Sequence, residues 1–207
     1  MGDPRVFMAR EEARIAQEES VMYMVAPVRG IPVLAQGDDV CAVISGSLNM
    51  LEWPDGGRSL WGDDIVVIAG KIIAKAQGRY TRRDEEIAER FEEFDARNLL
   101  MLRNVPNRLA LYRPENPDRE AAKIRHGLAA RFGGRPGVII SGSERERVRG
   151  YGRRDIALGS AGIDLATPAG ESIVDALAAI GGLSMNQYPD CPVAVIRGAK
   201  GILTFEN

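Results

Sequence analysis

Two short stretches of this chain carry most of the side chains that could do chemistry. In the first, the apolar run Ile65 to Ala69 meets Gly70, and Lys71 and Lys75 follow. A glycine directly after a buried strand lets the backbone turn sharply and exposes amide groups. Lysines four residues apart share one face if the segment is helical. Two ammonium groups beside free amides would suit a phosphate or a carboxylate. The pattern is not a P-loop, which needs a longer glycine loop and a Lys-Ser/Thr pair, and it equally fits a solvated lysine face on a short helix. In the second stretch, the apolar run from Val138 leads into Ser141-Gly142-Ser143-Glu144-Arg145-Glu146-Arg147-Val148-Arg149, with Arg153, Arg154 and Asp155 close behind. Ligands in open α/β sheets bind beyond the carboxyl ends of strands, and arginine grips phosphate through paired hydrogen bonds. The competing reading is a salt-bridged surface loop. Together the two stretches nominate Lys71, Lys75, Ser141, Ser143, Arg149 and Arg154 as a nucleotide- or phosphate-binding set.

Other chemistries find less support. Ser141 and Ser143 lack the Gly-x-Ser-x-Gly elbow of a serine hydrolase. The one histidine, His126, falls off the apolar stripe of its helix and reads as a surface residue. Cys41 and Cys191 are the only cysteines and lie in apolar segments, so they read as small core residues. One histidine and two distant cysteines cannot supply a structural zinc site or a disulfide scaffold.

The elements that must position these groups alternate between strand and helix. Residues 21–28 and 65–69 read as buried strands, 108–112 as a short strand, and 138–141 and 193–196 as further buried strands. Asp38 or Asp39 can cap a helix whose face is Val40, Val43, Ile44, Leu48 and Leu51. A helix is expected over residues 84–102. Another opens with Asn116 as its capping residue and Pro117 in its first turn, and ends at Gly133-Gly134. A last helix follows Thr167-Pro168 and closes at Gly181-Gly182. The alternation predicts an α/β fold, a mixed sheet with flanking helices. Residues 1–24 read as a charged N-terminal arm and 25–207 as one domain, with a subdomain break near residues 80–112.

The 207 residues are 45% hydrophobic and 27% charged with a formal charge of −2, which describes an ordinary folded protein. No clustered basic excess points to nucleic acid. No apolar run is long enough to cross a membrane, and the acidic N-terminus is unlike a signal peptide, so the cytoplasm is the expected compartment.

Read together, several blocks resemble the coenzyme F420-0: L-glutamate ligase family. Gly30-Ile31-Pro32 and Gly37-Asp38-Asp39 are similar to its opening. Gly62-Asp63-Asp64 runs into the first strand, and Lys71-Ile72-Ile73-Ala74-Lys75-Ala76-Gln77-Gly78-Arg79 follows. Asn116-Pro117-Asp118, Gly137 to Ser141, Asp155 to Gly162 and Pro192 to Gly198 complete the set in the family's order. The resemblance implies a nucleotide-dependent ligase, with GTP and divalent Mg or Mn in the family, that joins glutamate to a carboxylate on a phosphate-bearing acceptor. It also implies an intertwined homodimer acting on small-molecule substrates.

Departures from the family pattern concern its metal. Gly142 and Ser143 stand where the family has Asp-Thr, and Gln77 where it has glutamate. Asp155 and Glu144 remain as metal candidates, with Asp63 and Asp64 as further carboxylates that could rebuild a centre. Two readings follow. One is an amide-forming ligase with a changed substrate. The other is a catalytically impaired relative that binds a nucleotide or metabolite, alone or as a subunit of a larger enzyme.

Overall fold

The computed structural model describes residues 22–82, 99–101, 109–145, 153–188 and 190–204. Its centre is a five-stranded mixed sheet of β1 (Met24–Pro27), β2 (Ile65–Ala69), β6 (Gly137–Arg145), β7 (Arg153–Ala161) and β8 (Val193–Arg197), in the order β1-β8-β2-β6-β7. Only β2 and β6 are parallel; the other neighbours are antiparallel. A second, three-stranded antiparallel sheet has the order β3-β5-β4 and is made of β3 (Tyr80–Arg82), β4 (Leu99–Met101) and β5 (Leu109–Tyr112). The helices are α1 (Val40–Asn49), α2 (Gly70–Ala76), α3 (Pro117–Phe132) and α4 (Ile173–Asn186). Among the described residues no helix is long and apolar enough to cross a membrane.

The continuous apolar runs in β2, β6 and β8 follow from burial on both faces. Side chains alternate along a strand. Val66, Ile68, Val138, Ile140, Val193 and Val195 therefore enter one core, with Ile44 and Leu48 of α1 and Ile124 and Leu128 of α3. Ile65, Val67, Ile139, Ala194 and Ile196 enter the other, against Leu177, Ala178 and Met185 of α4. The arrangement is a helix–sheet–helix sandwich, the α/β class that the alternating pattern predicts. Asp39 caps α1, its carboxylate accepting from Ala42 N at 3.1 Å.

Several local expectations are corrected. The charged stretch after Ser141 is not simply a loop: β6 continues to Arg145 and pairs back with β7 from Arg153, so ladder hydrogen bonds override the polar composition. The expected helix over 84–102 falls largely outside the described residues, and at its end Leu99–Met101 is strand, because it pairs with β5. α4 starts at Ile173 under a Ser172 cap and runs through Gly181-Gly182 to Asn186. Those glycines serve close packing, as Gly181 shows: a Cβ there would stand 2.8 Å from the Val67 side chain. Asn116 does not cap α3 with its side chain; it adopts a left-handed conformation at φ 44°. The expected arm, residues 1–24, lies outside the described residues up to residue 21.

Candidate functional site

The parallel pair β2–β6 ends at Ala69 and Ser141, which are register partners. Just beyond them lies a cavity of about 50 Å³. Its polar lining comes from Lys71 in the first turn of α2, Ser141 and Ser143 on β6, Asp155 on β7 and Asn186 at the end of α4. The hollow is partly open, with room for a phosphate or carboxylate group.

Each polar group is placed by its element. The alternation of β6 puts Ser141 and Ser143 on one face, with Gly142 between them. Ser141 is 1% exposed, and its hydroxyl has no hydrogen-bond partner. An orphaned hydroxyl in a cavity wall costs about 1–3 kcal/mol, a cost that a bound ligand oxygen would remove. Ser143 Oγ donates to Asp155 Oδ1 at 2.6 Å across the β6–β7 pair. A β-bulge lies beside the site: Ile140 pairs with Gly159 but Ser141 with Ala157, leaving Leu158 as the extra residue. Bulges bend a strand and re-aim its side chains. Asp155 also lies against α4, where a Cβ on Gly182 would come within 2.3 Å of Oδ2.

The sequence-predicted residues divide accordingly. Lys71, Ser141, Ser143 and Asp155 meet at the cavity. Lys75 is one turn further along α2, outside its lining. Arg154 is exposed on β7 and also outside the lining. Glu144 is its register partner on β6, with a side chain outside the described residues. Arg149 lies outside them altogether. His126 is exposed on α3. Residues that the sequence did not nominate also line the cavity, among them Met185, Asn186 and Cys191. Only the Gly181-Gly182 pair hinted at them, because small residues on a helix permit close approach.

Asp64 belongs elsewhere. It sits before β2, at the opposite end of the strand, roughly 16 Å from the cavity at about 3.3 Å per residue. It is fully buried and receives Arg197 in two bonds, Nε to Oδ1 at 2.9 Å and Nη2 to Oδ2 at 2.7 Å. The Arg197 guanidinium lies between the rings of Trp53 and Trp61, at 3.9 and 3.8 Å from their centroids. Asp64 is thus a structural anchor and cannot rebuild a metal centre at the cavity.

Gln77 is also structural. Its amide donates to Glu115 O at 3.1 Å and accepts from Glu115 N at 2.8 Å. Arg79 reinforces the join through Arg113 O at 2.7 Å and a salt bridge to Glu115. A carboxylate at position 77 could not make the donating bond.

Both cysteines are free and buried. Burial pushes the Cys41 and Cys191 thiols above their ordinary value.

The cavity suits a phosphate oxygen, since Lys71 supplies a cation and Ser141 an unsatisfied hydroxyl. It does not suit a divalent cation held by protein alone. Asp155 is its one carboxylate among the described residues, whereas Mg²⁺ and Mn²⁺ want several oxygen ligands.

A sequence model of F420-0:Gamma-glutamyl ligase matches residues 30–98 and 96–198. The coenzyme F420:L-glutamate ligase of Methanothermobacter thermautotrophicus is 28% identical over 225 aligned positions, covering 83% of this chain and 87% of the relative. That of Archaeoglobus fulgidus is 26% identical over 231 positions, covering 84% of this chain and 87% of the relative. That of Halorubrum lacusprofundi is 28% identical over 180 positions, covering 66% of this chain and 65% of the relative.

Proposed function

The chain belongs to the F420-0:gamma-glutamyl ligase family, and from that premise we propose that it is a nucleotide-dependent ligase forming an amide bond between a glutamate-like amino acid and a small carboxylate or phosphorylated acceptor. The observation that carries the nucleotide part is the unpartnered, buried Ser141 hydroxyl beside Lys71 at the ends of two parallel strands. Phosphoryl transfer depends mainly on positioning and on cations that offset charge, and Lys71 provides one such cation. Divalent metal would arrive with the nucleotide, whose phosphates would supply the oxygens that the cavity lacks. A soluble homodimer acting on small molecules completes this reading.

Mixing the protein with GTP, Mg²⁺, F420-0 and L-glutamate tests it. Glutamate-dependent release of GDP and a product one glutamyl unit heavier by mass spectrometry is the expected result. GTP binding without turnover would favour the second reading, a binding protein descended from a ligase. The specific observation in its favour is that Asp155 is the one carboxylate lining the cavity among the described residues. Absence of binding to any nucleoside triphosphate would overturn both.

A further inference from the structure

Asp155 is held from two sides. Ser143 Oγ donates to Oδ1 at 2.6 Å, and Oδ2 lies over the bare Cα of Gly182. The strand neighbour and the helix together restrict the rotamer of a half-buried carboxylate that lines the cavity. A single acid is a poor site for a hard cation, but it is a good acceptor for an ammonium group through a charge-assisted hydrogen bond. The same cavity carries Lys71 and the orphaned Ser141 hydroxyl. It therefore offers groups for a phosphate or acyl oxygen and a separate anion for an amine.

We propose that Asp155, positioned by Ser143, binds the amine of the incoming amino acid and accepts its proton as the amide forms. This rests on the ligase reading. In the step concerned, a nucleoside triphosphate has already passed its terminal phosphoryl group to the acceptor carboxylate. The amine nitrogen attacks the acyl carbon and a C–N bond forms. The C–O bond to phosphate breaks, and its electron pair leaves with inorganic phosphate. Nitrogen sheds two protons to solvent by way of Asp155, one from the bound ammonium before attack, which frees its lone pair, and one as the amide forms. Among the described residues no second carboxylate lines this cavity, so the charge of Asp155 is not shared with a protein-bound metal.

Hydroxylamine separates this role from activation of the acceptor. It is largely uncharged at neutral pH and captures acyl phosphates without needing an ammonium site. Wild type, Asp155→Asn and Ser143→Ala are compared with GTP, Mg²⁺ and F420-0, using either L-glutamate or hydroxylamine as nucleophile. Asp155→Asn is expected to lose glutamate coupling by about 100-fold or more while forming hydroxamate within a few-fold of wild type. Ser143→Ala keeps the carboxylate and is expected to raise the KM for glutamate by a larger factor than it lowers hydroxamate formation. It carries the test if thermal unfolding shows that Asp155→Asn does not fold. Equal loss with both nucleophiles, or full retention of glutamate coupling, would overturn the proposal. If wild type forms no GTP-dependent hydroxamate, the ligase reading itself falls and takes this proposal with it, a result distinct from failure of Asp155 alone.

Discussion

Asp155 of β7 packs against Gly182 of α4 so closely that a Cβ on the glycine would stand 2.3 Å from the carboxylate Oδ2. Alanine in a helix interior is ordinarily better than glycine by about 1 kcal/mol. Here the added methyl must push the carboxylate away from Ser143. The methyl would also stand 2.8 Å from the Asp155 Cβ, so Gly182→Ala is expected to cut glutamate coupling at least 10-fold and to cost some stability as well. Gly181→Ala meets the buried Val67 side chain instead and is expected to cost about 1–3 kcal/mol by overpacking. Urea denaturation alongside coupling assays separates the two; the reverse pattern would show that Asp155 is not held by α4.

Lys71 lines the cavity and Lys75 does not, although both lie on α2. Lys71→Ala is expected to weaken GTP binding at least 10-fold, and Lys75→Ala less than threefold. Calorimetric titration reads both. Equal effects would mean that the phosphates extend along the helix.

Asp64 and Arg197 form a buried pair at the far end of β2. Removing one partner leaves an uncompensated charge, which typically costs about 3–5 kcal/mol. Asp64→Ala is expected to destabilise by that amount. Replacing both residues with apolar ones should recover part of the loss. Denaturation midpoints of the single and double variants decide whether the pair acts as a unit.

Gln77 uses both ends of its amide on the Glu115 backbone. Gln77→Glu replaces the donor with an oxygen facing a carbonyl, so a loss of about 1 kcal/mol is expected. The change should not improve Mn²⁺ binding, because Gln77 is outside the lining of the Ser141 cavity and its side chain is turned to the Glu115 backbone rather than to the carboxylates of Asp38, Asp39 and Glu120, with which it borders a separate hollow. Tightened Mn²⁺ binding by this variant in calorimetry would contradict that placement.

Burial raises both thiols above the ordinary value of 9.0. The folded chain then keeps these protons when the unfolded chain has released them. The stabilising contribution is intact below about pH 9 and is lost as pH rises beyond it. Stability should therefore fall above pH 9, and less steeply in a Cys41→Ala, Cys191→Ala variant. Labelling by a thiol reagent at pH 8 should be slow until denaturant is added.

Much of the scaffold was legible because local signals agreed with it. The run Ile65 to Ala69 is strand β2, and the Lys71 and Lys75 segment is helix α2. β7 was missed because its polar and glycine-rich sequence is held as strand by pairing with β6 rather than by propensity. At the site, Lys71, Ser141 and Ser143 were nominated from their place after buried strands and Asp155 as a metal candidate, but Lys75, nominated with Lys71, is left out of the cavity.

By itself, the sequence determined the fold class, the buried strands and capped helices around the main sheet, and the family blocks, because these depend on periodicity, turn residues and motifs within short windows. Only the tertiary structure decided what each block does. It joined Asp64 to Arg197, which are 133 positions apart, and Asp118 to Ser160, which are 42 apart. It bound Gln77 to Glu115, 38 positions on. These pairings make conspicuous motif residues into fasteners between elements. They leave the cavity's polar lining to Lys71, the serines of β6, Asp155 and Asn186. A carboxylate's role depends on what lies within hydrogen-bond reach of it, and that is set by which strands and helices meet.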